Sequence, residues 1–285
     1  TASRSLLVLT VFLAISAMGV GIVSASLQQA VDESVDGCII IMRAGTWNEN
    51  VEIDNDLTII GGYGGGETVI SGGGFVGYGT GEDYGIDDSS VFTINYADVV
   101  LTGLTITHGG IGPFSEYGSV STGGSGISNI GGTLTLNDVT ITGNMAFHGG
   151  GIYNDHGTVI LNSGTSIEGN SAGVYSAIGE YGNDIHASGG GIYNNGGTII
   201  MNGGSSIAYN TAGVICIPLG GTIGYVSSSQ GGGIYNDHGT VTLNPGSSIT
   251  NNEAGLGGGI YNNGGTLNQY GGIVSGNIPD QIYNA

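Results

Sequence analysis

The six residues GGGIYN stand at 149–154 and return at 189–194, 231–236 and 257–262, with a degenerate copy, GSGISN, at 124–129. Nothing else in the chain constrains its fold as strongly, because self-similarity at a fixed period marks a protein built from stacked units. Two further elements travel with the word. A Gly-Thr pair follows each copy, as at Gly157-Thr158, Gly197-Thr198 and Gly239-Thr240, and opens a short apolar alternation such as TVILN at 158–162. A Ser-Ile pair then leads to another Asn, as in SIEGN at 166–170, SIAYN at 206–210 and SITNN at 248–252. The step from Asn154 to Asn170 is the same as that from Asn194 to Asn210 and from Asn236 to Asn252.

Each unit therefore holds three short period-2 segments separated by Gly, Asn and Ser turns. Units begin at 124, 149, 189, 231 and 257; the steps from 124 and from 231 are short, and those from 149 and 189 are longer. The surplus falls at one corner, which is where loops on a solenoid lie. Three strands per turn, with a basic period of about 25 residues, indicate a solenoid. The sequence thus predicts an all-β fold: a single right-handed parallel β-helix over 26–285. Insertions are expected at 74–89, 173–188 and 213–230. Successive coils lie about 4.8 Å apart, so a residue stacks on its own copy in the next coil. Ile152, Ile192, Ile234 and Ile260 are then expected to point inward. Asn154, Asn194, Asn236 and Asn262 are expected to form a side-chain amide ladder. Tyr153, Tyr193, Tyr235 and Tyr261 are expected to face outward as an aromatic stripe, read either as a stabilising ladder or as a contact surface.

Composition narrows the partners. The chain has 61 Gly but is rich in Ile, Val and Thr, so disorder is a poor explanation of the glycine. The net charge is −20, with no Lys, and Arg4 and Arg43 are the only strong bases. Such a surface repels phosphate backbones and anionic membranes. Residues 1–25 read as an export signal, with Leu6–Val23 nearly all apolar and VSA at 23–25 before a cleavage site; a retained membrane helix is the other reading. Residues 26–35 read as a short amphipathic helix capping the first coil, with Ser26 and Gln29 at capping-box spacing.

The stretch LQQAVDESVDGCIIIMRAGTWNENVEIDNDLTIIGGYGGGETVISGG, residues 27–73, resembles the opening of right-handed parallel β-helix proteins of the pectate-lyase-like superfold. The GGGIYN units resemble the repeats of polymorphic outer-membrane and adhesin-like surface proteins. The glycine-rich, Lys-free profile also resembles proteinaceous sheaths of methanogenic archaea. These resemblances imply the fold and a cell-surface setting; the superfold hosts many activities.

Chemistry is sparse in the repeats. A pectate-lyase-like mechanism needs a base near Ca²⁺ carboxylates, and Arg43 stands alone in the first coil. A hydrolase would need converging carboxylates, whereas Glu168 and Glu253 are single and at turns. Asp155-His156 and Asp237-His238 recur, but Asn195-Gly196 replaces the pair in the unit between, which reads as turn chemistry. The one Ca²⁺ candidate is Glu82, Asp83, Asp87 and Asp88; the five His show no metal-ligand spacing. Cys38 and Cys216 are expected to lie about five coils apart, beyond disulfide reach. The expectation is thus a secreted structural protein and not an enzyme, without cofactor, whose main partner is itself. An adhesin or polysaccharide-binding module and a degenerate polysaccharide lyase are the alternatives.

Overall fold

A computed structural model describes residues 20–23, 25–72, 90–110, 126–173, 175–176, 187–213, 215–216, 224–225 and 229–285. The chain is a parallel β-helix with three faces. The first face is an eight-stranded sheet in which Ile127–Ile130, Ile152–Asp155, Ile192–Asn195, Ile234–Asp237 and Ile260–Asn263 follow one another in parallel. The second and third faces form one fifteen-stranded sheet. The second carries the Gly-Thr segments, such as Thr158–Leu161, and the third the Ser-Ile segments, such as Ser166–Glu168.

The pairing is in register from coil to coil, so every repeat position becomes a column. Ile152 pairs with Ile192, Tyr153 with Tyr193 and Asn154 with Asn194. The alternation of apolar and polar residues then decides what is inside. Ile152, Ile192, Ile234 and Ile260 are all fully buried, as are Val159, Ile199 and Val241 on the second face and Ile167, Ile207 and Ile249 on the third. Removing such a side chain from water is worth about 1.5–3 kcal/mol, and here the stacked copies supply each other's apolar surroundings.

The glycines of the repeated word answer to close approach. Gly189 has φ +70°, a left-handed conformation that suits glycine. A Cβ at Gly191 would lie 2.6 Å from the Gly233 carbonyl oxygen and 2.9 Å from Ile207 Cγ2. The turn before Ile192 thus runs so tightly between the next coil and the core that no side chain fits.

In the first coils one long bent strand, Leu57–Ser71, pairs with Cys38–Asn48. Register shifts around Arg43 and a run of positive-φ glycines, Gly62 and Gly64 to Gly66, carry it round the corner. Later coils break at the same corner, at Gly103 (φ +64°) for example.

The capping helix is shorter than 26–35, at Leu27–Asp32. Ser26 Oγ accepts from the Gln29 backbone N–H (3.2 Å), but the Gln29 side chain turns to Glu33 instead of back to the cap. Its place is taken by Glu49 from the first coil, whose carboxylate accepts from Ser26 Oγ (2.8 Å) and the backbone N–H groups of Leu27 and Gln28 (2.9 and 3.0 Å). A carboxylate at a helix N-terminus satisfies otherwise unpaired amides. Leu27, Ala30 and Val31 are buried, so the helix covers the first coil as expected, while Val35 is exposed.

Of the presumed export segment, Val20–Val23 forms a strand on Ile39–Met42, and the rest up to residue 19 lies outside the described residues. Among the described residues no helix is long and apolar enough to cross a membrane. Most of the three expected insertions also falls outside them, though Tyr175–Ser176 pairs with Ile215–Cys216, which pairs with Gly224–Tyr225. Cys38 is buried and free.

Candidate functional site

Two buried amide ladders hold the coils in line. In the first, Asn129, Asn154, Asn194 and Asn236 each donate from Nδ2 to Oδ1 of the next Asn at 2.7–2.8 Å, and Asn262 donates to Asn284 at 3.2 Å. Each Nδ2 also donates to the carbonyl three positions on, as Asn194 does to Gly197 (3.0 Å). That carbonyl belongs to the Gly of the Gly-Thr pair, and a Cβ on Gly197 would sit 2.5 Å from the Gly157 oxygen and 2.9 Å from Asn194 Oδ1. The spacing Asn-x-x-Gly is therefore one device. The ladder begins at Asn129 because Ile94 stands at that position one coil earlier, which leaves Asn129 Oδ1 buried without a donor.

The second ladder escaped the sequence reading, although the recurring step from Asn154 to Asn170, Asn194 to Asn210 and Asn236 to Asn252 was visible. Asn144, Asn170, Asn210 and Asn252 each donate to the next member at 2.9–3.0 Å, ending at Asn277. Each receiving Oδ1 also takes the donor residue's own backbone N–H, as Asn210 Oδ1 takes that of Asn170.

The tyrosines share the strands of the first ladder. Tyr153, Tyr193, Tyr235 and Tyr261 stack as expected, and Tyr283 adds a fifth ring, legible in the IYN at 282–284. Ring centroids are 5.4, 5.0, 5.2 and 5.1 Å apart in that order, with interplanar angles of 2–13°. His148 lies tilted against Tyr193 at 5.0 Å. Such pairs contribute about 0.5–1.5 kcal/mol beyond burial. The column leaves the coil on the outer side yet is not an open stripe: Tyr235 and Tyr261 are 9% and 8% exposed, and Tyr283 is 37% exposed. Burial, with Asp237 second, pushes the Tyr235 phenol up to about 12, and Tyr193 is raised further by the same causes in the same order. Tyr153 and Tyr261 are raised as well, again chiefly by burial.

Beside this column runs a second one whose members alternate: Asp155, Asn195, Asp237, Asn263. Asp155 Oδ1 accepts from Asn195 Nδ2 (2.7 Å) and from His156 Nδ1 (2.7 Å); Asp237 does the same with Asn263 (2.8 Å) and His238 (2.7 Å). The next residues form a corner in the left-handed conformation: Tyr96, Gly131, His156, Gly196, His238 and Gly264. A ring in one coil covers a glycine in the next; a Cβ on Gly196 would meet His156 Nε2 at 3.0 Å. The Asp-His pairs are thus turn chemistry with a two-coil period, which keeps like carboxylates from stacking.

The described residues also contain a pocket of about 310 Å³ between the capping helix and the first coils, lined by Gln28, Asp32, Asn50, Val51, Glu52, Ser90 and Thr93. Its two acids are already engaged: the Gln28 amide donates to Asp32 Oδ1 (2.6 Å), Asn95 Nδ2 donates to Glu52 Oε1 (3.0 Å), and the Gln28 oxygen accepts from the Glu52 backbone N–H (2.7 Å). Among the described residues no group of three or more His, Cys, Asp or Glu could hold a metal ion. The Ca²⁺ candidates Glu82, Asp83, Asp87 and Asp88 lie outside the described residues.

No protein-family model matches the chain, and no curated protein does. A solved structure similar to it is the pectin methylesterase from Aspergillus niger in deglycosylated form, 14% identical, with 91% of this chain and 86% of that chain covered at a TM-score of 0.33. The expectation that the chain is not an enzyme is corrected by this match, since the matched protein is an enzyme. At that identity and score the likeness carries no activity or catalytic residue over to this chain.

Proposed function

We propose that the protein is an extracellular structural component that associates with copies of itself into a sheath, layer or fibre. One observation supports this above the others. On a chain of net charge −20, the outward positions of the second face from Thr133 to Asn268 carry no charged side chain. They form straight columns: Thr133, Thr158, Thr198, Thr240 and Thr266 in one, and Asn137, Asn162, Asn202 and Asn244 in another, the last joined by 2.8 Å hydrogen bonds. An in-register, uncharged sheet face is the surface on which two copies of an otherwise anionic chain approach without repulsion. A polysaccharide partner is a poorer fit to the tyrosine column, because the rings turn their faces to one another and sugars pack on ring faces.

Sedimentation and negative-stain electron microscopy of the purified protein test the proposal. Large β-rich assemblies that persist in high salt are expected, because a chain with no Lys and two Arg can form few ion pairs. A protein that stays monomeric at high concentration, with or without Ca²⁺, overturns it.

A further inference from the structure

The five rings from Tyr153 to Tyr283 form one unbroken π-stack. Stacked phenols give up an electron more readily than an isolated one, because neighbouring π-clouds share the positive hole. The surroundings act in the same direction. Asp155 and Asp237 stand two positions beyond Tyr153 and Tyr235 on the same strands, and their negative charge reaches the Tyr153, Tyr193 and Tyr235 rings. An oxidised phenol becomes a fixed, neutral radical when it loses its proton to an acceptor. Burial of the inner rings works against that loss, so a hole there stays mobile. Tyr283 is the exposed member, with water at hand to take the proton.

We propose that the tyrosine column is a redox relay, which passes one-electron oxidation along the stack to Tyr283 and there forms a covalent dityrosine link between two copies of the chain. The oxidant is an external one-electron acceptor of the high-valent metal-oxo or oxidised metal-complex class. Two Tyr283 phenols each lose one electron to it and one proton to water. The two neutral radicals join through ring carbons ortho to the hydroxyls, and loss of the two ring protons as each ring re-aromatises restores both phenols. The coupling step itself consumes no further oxidant, and the hydroxyl protons are regained from water.

Limited photo-oxidation of the full chain with ruthenium tris-bipyridine and persulfate, in the presence of biotin-tyramide, tests the relay. The tyramide couples to tyrosyl radicals and marks their position whether or not copies associate; peptic digestion and mass spectrometry locate the label. Among the described tyrosines, exposure alone ranks Tyr96 (80%) first, then Tyr270 (66%), Tyr209 (65%) and Tyr63 (48%), with Tyr283 (37%) behind them. The relay puts Tyr283 ahead of all of these. Tyr261→Phe keeps a ring in the stack but interrupts the path with a group far harder to oxidise, so the Tyr283 label is expected to fall below that of Tyr96. Tyr235→Phe, one ring deeper, is expected to give an intermediate loss, and serves if Tyr261→Phe does not fold. A native labelling order that follows exposure, or a Tyr283 share unchanged in a folded Phe variant, overturns the relay.

Discussion

Replacing Asn194 by Ala removes the centre of the first amide ladder, and the structure sets the size of the effect. Asn194 is fully buried. Its Nδ2 donates to Gly197 O (3.0 Å) and Asn236 Oδ1 (2.7 Å), and its Oδ1 accepts from Asn154 Nδ2 (2.7 Å). Three hydrogen bonds at about 1 kcal/mol each give a loss of roughly 3 kcal/mol, to which the stranded Asn236 oxygen adds about 1–3 kcal/mol. Asn129→Ala makes a sharper comparison than an arbitrary control. It loses bonds to Gly132 O (3.0 Å) and Asn154 Oδ1 (2.8 Å), but it also deletes an oxygen that had no donor. Its cost is expected to be smaller by on the order of 1–2 kcal/mol. Asn202→Ala, in the half-buried outer ladder where water replaces the lost partners, is expected to cost less than about 1 kcal/mol. Thermal melting followed by circular dichroism should therefore rank the three Asn194 > Asn129 > Asn202, with a depression for Asn194→Ala of roughly 8–24 °C for about 4–6 kcal/mol at about 2–4 °C per kcal/mol. Equal shifts for Asn194→Ala and Asn202→Ala would refute the reasoning, because burial of the ladder would then be irrelevant to its strength.

Gly197→Ala is expected to destabilise by about 1–3 kcal/mol through overpacking, since the new methyl meets the Gly157 carbonyl and the Asn194 side chain; chemical denaturation reads it, and a neutral result would mean the coils are free to separate there. Asn195→Asp places a carboxylate between Asp155 and Asp237, so it is expected to cost on the order of 1–4 kcal/mol at low ionic strength and less in added salt; a melting shift independent of salt would remove the charge argument. Alkaline titration should divide the tyrosines. The ordinary phenol value is 10.0 and the fold raises Tyr235 to about 12; below pH 10 both folded and unfolded chains keep the proton, and between pH 10 and 12 the unfolded chain releases it first. Stability is thus present below pH 10 and is lost as pH rises through that window, and phenolate absorbance near 295 nm should show a late fraction that merges with the early one on denaturation.

Much of the architecture was legible in the letters. A three-segment unit that recurs with each GGGIYN means stacked coils, and the period of 2 within Ile152–Asp155 means that Ile152 and Asn154 share the inner side and Tyr153 the outer. The inward Ile column and the first amide ladder follow from those two periods alone, and so does the column of tyrosines. The sequence also carried the alternation of Asp-His with Asn-Gly, but only coil-on-coil distances show why it exists: Asp155 Oδ1 receives Asn195 from the next coil, and the His156 ring fills the space over Gly196. The second ladder was visible as a spacing and invisible as a buried network, because its burial depends on how the corner after the third face folds over the core.

The depth of the tyrosine column belongs to the tertiary structure in the same way, as does the substitution of Glu49, a residue of the first coil, for the expected side-chain partner of the helix cap. A repeating sequence determines which residues share a column, since strand alternation and coil period are local and one-dimensional. It does not determine what lies against that column from outside, because those contacts join residues far apart in the chain through three-dimensional distances that no local pattern encodes.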